Sequence, residues 1–232
     1  MRVSIQQPQY LPYIGFFHKL MLSDIHVILD DVIYGKNTFV NRNRIKTPQG
    51  AAWITVPTRA KRDQLIKEYK IDNSRNWKRK HLNAIKTNYG GAPFFKDYRE
   101  FFDDYYKKEW IRLVDLDSEA LEYISKQLNI NVKFIMASEL GITTTETQRL
   151  IDICSKVGAD TYISGIGGKE YMDKKLFKTN GIKLLYQDFK HPVYKQRFGK
   201  FEEFMSIIDL LLNHGAESIE IIKNSGGTRQ SE

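Results

Sequence analysis

Five polar stretches of this chain carry residue types able to do chemistry. Gln7-Pro8-Gln9-Tyr10 offers amides and a phenol on a backbone stiffened by Pro8 and Pro12. Such groups orient a ligand but are not bases at neutral pH. Asp30-Asp31 is a carboxylate pair at the end of an apolar run. Neighbours in an extended strand face opposite ways, so one of them at most faces a site, as a base or a ligand to metal or ribose. Its structural alternative is a cap or an arginine partner. Lys36, Asn37, Asn41, Arg42, Asn43 and Arg44 follow at once, a set of donors suited to phosphate or carboxylate. Three asparagines in a strand-like stretch favour function over a merely solvated edge. Ser164-Gly165-Ile166-Gly167-Gly168 lets backbone N–H groups approach an oxyanion, although it lacks the full signature of a nucleotide-binding loop. His191, beside Pro192, Tyr194 and Gln196, is the natural proton shuttle near pH 7. A structural histidine bonded to backbone is the competing assignment.

These groups need elements to position them. Val3–Ile5 reads as a strand, residues 16–21 as a helix, and His26–Leu29 as a second strand, a βαβ opening. Thr38–Val40, Trp53–Val56 and Leu65–Ile71 read as short strands, with a turn at Pro48-Gln49-Gly50. Helices are expected over Trp77–Tyr89, Phe94–Tyr106 and Trp110–Leu128, the last with an apolar stripe at the helical period. Then come strand Val132–Ala137, helix Thr147–Val157, strand Thr161–Ser164, helix Glu170–Lys178, strand Lys183–Tyr186 and helix Phe201–Leu212. The expected fold is α/β, a mostly parallel central sheet flanked by helices. It carries a small antiparallel β excursion at about 33–72 and a helical segment at about 75–130. Residues 1–223 form one domain, and 224–232 a frayed tail with nothing to pack. Gln7, Tyr10, Asp30, Gly165 and His191 all follow strands. In an open parallel sheet those ends share one edge, so they should meet Asn41 and Arg44 in one cleft.

Composition bounds the rest. The 232 residues are 41% apolar and 12% aromatic, enough for a full core. No apolar run approaches the roughly 20 residues that span a bilayer. The start of the chain shows no signal-peptide pattern, and its single cysteine, Cys154, cannot pair internally. The expectation is a cytoplasmic, reduced protein without membrane insertion. Of the net charge of +8, residues 35–100 hold 16 Lys/Arg against 5 Asp/Glu. Such a segment invites phosphate-bearing ligands. Nucleic acid is the less favoured partner, since core packing explains Trp53 and Trp77 more cheaply than base stacking.

Several blocks in one order resemble the WbqC-like protein family. They are Gln7-Pro8, Tyr10, Pro12, Gly15-Phe16-Phe17 and Lys19; Asp30-Asp31-Val32; Lys36-Asn37; Asn41–Lys46; and Trp53 with Val56-Pro57. Later come Ile163-Ser164-Gly165 with Gly167 and Tyr171; His191-Pro192, Tyr194, Gln196, Gly199 and Phe201; and Ser206–Leu211 with Asn213 and Gly215. The likeness covers about residues 3–215, with Ile33 where the family often has glutamine. It implies bacterial O-antigen, lipopolysaccharide or other surface-polysaccharide biosynthesis, and an acyl or aminoacyl (glycyl) transferase.

The expected function is therefore a transferase acting on an amino group of a nucleotide-activated sugar. His191 or Asp30 would be the base. Gln7, Tyr10, Asp31, Lys36, Asn37, Asn41, Arg42, Arg44, Gly165, Gly167, Gly168, Tyr171, Tyr194 and Gln196 would bind substrate. No metal or resident cofactor is expected; an acyl or aminoacyl thioester is the implied co-substrate, and a homo-oligomer is left open. Two alternatives stand beside it. One is a nucleotidyltransferase-like enzyme with His18 on the phosphates, and the other is a non-enzymatic binding module built on segment 35–100.

Overall fold

The computed structural model describes residues 1–33, 38–59, 63–170 and 172–230. Its centre is a six-stranded sheet whose middle strands are buried on both faces, as parallel strands under two helical layers must be. β1 (Arg2–Gln6) lies mid-sheet. The chain moves outward through α1 (Ile14–Met21), β2 (Ile25–Ile28) and, after the excursion, β7 (Lys133–Met136). It then returns to the other side of β1, entering β8 (Thr161–Ser164) and β9 (Lys183–Phe189) after α5 (Glu146–Lys156) and α6 (Lys174–Thr179). All five of these strands are parallel. The strand order reverses between β1 and β8, and in doubly wound sheets the crevice for ligands opens at that switch point.

Between β2 and β7 lie the antiparallel hairpin β3 (Arg42–Thr47) and β4 (Gly50–Thr55), and the two-residue pair β5 (Thr58–Arg59) and β6 (Lys70–Ile71). α2 (Trp77–Tyr89), α3 (Phe95–Lys107) and α4 (Leu113–Gln127) follow. α7 (Ile207–His214), α8 (Ser218–Lys223) and β10 (Gly226–Gln230) complete the chain. One apolar cluster joins α1, α2–α4 and α7 on one face of the sheet. A smaller one packs Val3, Ile5, Val27 and Tyr162 against α5 and α6 on the other. Ser4 Oγ and His26 Nδ1, adjacent in register and fully buried, hydrogen-bond at 2.8 Å.

Four local expectations need correction. Phe39 and Val40 form a turn, and the strand begins at Arg42. Residues 65–71 contain a 3-10 turn at Ile66–Glu68 before the short β6. The last long helix starts at Ile207, not Phe201, because Ser206 caps it and Phe204 has a positive φ of 58° that no helix accepts. Gly226–Gln230, expected to fray, pairs antiparallel with β9; backbone hydrogen bonds hold an edge strand whose side chains are mostly exposed.

Candidate functional site

A cleft opens at the carboxyl ends of β1 and β8, at the switch point. Its polar end, about 450 Å³, is lined by Gln6, Gln7, Gln9, Lys19, Ser164 and the glycines 165, 167 and 168, with Leu29 among the apolar residues. It continues past Lys19 and Gly167 to Tyr13, Phe189 and Phe204. Its aromatic end, about 410 Å³, is bounded by Gln6, Gln9, Tyr13, Phe39, Arg44 and Phe204. A larger cavity of about 550 Å³ lies among Lys174, Lys175, Lys178 and Lys183. Lys183 opens β9, so that cavity is at the amino-terminal edge, away from the switch point.

The cleft wall is built by the loop after β1. Buried Asn43 of β3 donates to the carbonyls of Tyr10 (3.2 Å) and Leu11 (2.7 Å), and Ser206 Oγ donates to Leu11 O at 2.7 Å. The Ile207 N–H reaches Pro12 O at 2.7 Å. Two prolines remove donors from this loop, so its order comes from carbonyls accepting bonds from elsewhere. Gly15 follows in the first turn of α1, where a Cβ would lie 2.5 Å from the Tyr13 ring. Only glycine lets that ring fold back as a wall of the cleft.

Lys19 is the unusual group. It is 4% exposed, and its Nζ donates to Gln6 Oε1. Among the described residues no carboxylate pairs with it. Burial lowers its pKa to about 7, so near neutrality much of it is a free amine. That shift corresponds to ~5 kcal/mol against the charged form. Phe16, Phe17 and Leu20, buried on the same helix, each contribute roughly 1.5–3 kcal/mol, so α1 can hold the amine down.

Across the cleft, Ser164 leads into a 3-10 turn, Ile166–Glu170. Its first hydrogen bond runs from Gly168 N–H to Gly165 O at 3.0 Å, leaving the Ile166 and Gly167 amides ahead of the ladder. A Cβ at Gly165 or Gly167 would meet no protein atom within 4 Å, so packing does not demand glycine there. Gly168 differs: a Cβ would lie 2.2 Å from Ser164 Oγ. Gln9 Oε1, between the two ends of the cleft, is buried without a hydrogen-bond partner among the described residues. A buried acceptor left open at a cavity wall is a place for a ligand donor.

The structure sorts the residues singled out in the sequence. Gln7, Gly165, Gly167, Gly168 and Arg44 come together on the cleft. Asp30 does not act there: both its oxygens accept from Ser138, from N–H at 2.9 Å and from Oγ at 2.7 Å, anchoring the turn after β7. Asp31 pairs with Arg149 at 2.6 Å. His191 has both ring nitrogens committed, Nδ1 to Pro192 O at 2.9 Å and Nε2 accepting from the Phe204 N–H at 3.0 Å. Burial also lowers its pKa, so it is a neutral positioning group and not a poised base. Tyr10 is a core residue whose hydroxyl meets His81 and Tyr106. Tyr194 donates to buried Asp209 at 2.8 Å, and Gln196 fixes residue 202. Asn41 donates to Val56 O at 2.9 Å, and the Arg42 guanidinium lies 4.5 Å over Trp53. Lys36, Asn37 and Tyr171 lie outside the described residues. His18 is buried, with Nδ1 bonded to Gln187 at 2.9 Å, which removes the phosphate role considered for it.

Sequence reasoning passed over Gln6, Lys19, Gln187 and Phe204 as site residues, and weighed Tyr13 only for base stacking. For Lys19 a signal existed: His18-Lys19 interrupts an otherwise apolar eight-residue helix. A lysine inside such a run is buried or snorkelling.

The WbqC-like protein family model matches residues 7–221, nearly the whole chain and most of the cleft lining. This chain belongs to the WbqC-like family. It is 34% identical over 226 residues to an uncharacterized protein of Mycobacterium tuberculosis, Rv1507c, covering 96% of this chain and 97% of that protein. No solved structure matches. Among the described residues no helix of this WbqC-like chain is long and apolar enough to cross a membrane, and no three His, Cys, Asp or Glu side chains gather to hold a metal.

Proposed function

We propose that this WbqC-like protein is a transferase of bacterial surface-polysaccharide biosynthesis. It moves an acyl or aminoacyl group from a thioester onto an amino group of a nucleotide-activated sugar. The observation that supports this most is Lys19, a buried amine with a pKa of about 7 on the wall of the cleft. The acceptor's ammonium must lose a proton to attack. A neutral amine near pH 7 takes that proton, the role first assigned to His191 or Asp30. One Lys19 N–H stays on Gln6, which aims the lone pair.

Attack forms the C–N bond, and negative charge gathers on the carbonyl oxygen. The Ile166 and Gly167 amides, ahead of the turn's first hydrogen bond, are the donors assigned to it. Collapse breaks the C–S bond; the proton held by Lys19 leaves with the thiol, and the second proton of the attacking nitrogen passes to the water of the open cleft, leaving a neutral amide. Gln7 and Gln9 orient sugar hydroxyls and amides. The test is incubation with nucleotide amino-sugars and a panel of acyl and aminoacyl thioesters, read by mass spectrometry. An acylated amino-sugar from wild-type protein, and none from Lys19→Met, supports the proposal; no product across the panel contradicts it.

A further inference from the structure

The aromatic end of the cleft holds a residue that folding alone does not explain. Phe204 is 44% exposed and sits at φ 58°, a conformation that disfavours side chains. Nearly half of the residue stays exposed, so full burial is not what keeps it there. Its backbone is clamped from both sides. Its N–H donates to His191 Nε2 at 3.0 Å, and its carbonyl, with that of Glu203, accepts from Arg44 Nη2 at 3.4 and 3.1 Å. His191 also packs edge-on against the Phe204 ring, with centroids 5.0 Å apart. The clamp presents the ring to the cleft, 6.1 Å from Tyr13 and with Phe39 on the same lining. Strain held in place beside a cavity is typical of ligand clamps.

The occupant can be named by class. Three rings call for a flat, aromatic group. The same end has no carboxylate among its lining residues, and Arg44 carries further guanidinium donors beyond the Nη2 used on the carbonyls. The open Gln9 Oε1 asks for an N–H or O–H. We propose that Phe204 is the stacking platform for the base of a nucleoside diphosphate, whose phosphates lie toward Arg44, with His191 and Arg44 as the residues that position the platform. This rests on the transferase proposal and deepens it by orienting the substrate: nucleotide on the aromatic end, amino-sugar toward Lys19.

The experiment is calorimetric titration of the full chain with the adenosine, guanosine, cytidine, uridine and thymidine diphosphates, against inorganic pyrophosphate and glucosamine 1-phosphate. At least one nucleoside diphosphate should bind about tenfold more tightly than either control, as expected for one stacked base. Phe204→Gly should lose that preference while melting at or above the parent temperature, because glycine relaxes the positive φ. Phe204→Trp should keep binding, with its added emission quenched by the base. Equal binding of all probes, unchanged binding by Phe204→Gly, or a large drop in its melting temperature would overturn the platform. Nucleotide binding without acyl transfer would contradict the transferase proposal alone. Transfer that is indifferent to Phe204→Gly would contradict the platform alone.

Discussion

Lys19 Nζ donates to Oε1 of Gln6, the last residue of β1, so the side chain that holds this buried amine carries no charge. A carboxylate there would have kept the lysine protonated. An amide leaves its protonation to burial, which brings it to about 7. Above about pH 10.5 the amine is neutral in both folded and unfolded chains, and Lys19 costs no ionisation energy. As pH falls the unfolded chain takes the proton first, and the cost grows until it is complete below about 7. Lys19→Met should therefore raise stability by a few kcal/mol at pH 7, and the gain should shrink toward pH 10. Denaturant unfolding at several pH values measures it.

Transfer activity should rise with pH through about 7, as Lys19 gives up its proton. Lys19→Arg should be inactive throughout, since a guanidinium does not deprotonate. The pH–rate profiles of wild type and variant check both outcomes.

Asp30 and Asp31 should matter for stability instead. Asp30→Ala strips partners from Ser138, at a cost of about 1–3 kcal/mol. Asp31→Asn leaves the Arg149 guanidinium, 13% exposed, without its counter-charge, and should cost about 3 kcal/mol. Urea unfolding measures both. Neither variant that still folds should move the pH midpoint of activity.

Protonating His191 puts a proton on the nitrogen that accepts from Phe204 N–H. Burial opposes that proton, while Pro192 O and the Glu203 carboxylate favour it. Burial lowers the His191 pKa, so the clamp should be intact at the ordinary histidine value of about 6.5 and fail only as pH falls further, through that lowered value. Nucleotide affinity should weaken there in wild type. His191→Gln, which can still accept a hydrogen bond, should bind independently of pH over that range, as calorimetry at pH 5.5 and 7.5 would show.

Gly167→Ala should leave the melting temperature within about 2 °C, because its Cβ meets no protein atom, yet lower activity by narrowing the cleft. Thermal melts and initial rates separate the two effects.

Much of the scaffold was legible because its signals are local. Short β-prone runs marked β2 and β8, and Trp77–Tyr89 ended at its Gly-Gly-Ala-Pro stop. Phe201–Phe204 misled because apolar spacing alone cannot show a positive φ fixed by distant His191 and Arg44. β10 was missed because its pairing lies in backbone hydrogen bonds and not in side-chain pattern. Within the site, the Gly165–Gly168 turn announced itself by composition. Lys19 did not, because its meaning depends on which face of α1 lies over the end of β1, a packing relationship that the apolar pattern of α1 does not fix.

The protonation state of Lys19 decides whether it can take a proton from an acceptor amine, and side-chain NMR reads that state directly. With lysines labelled at the ε-carbon and the Lys19 signal assigned by its loss in Lys19→Met, titration of the folded protein should show that carbon shifting near pH 7, apart from the surface lysines. A Lys19 signal that titrates with the others near 10.5 would contradict the account.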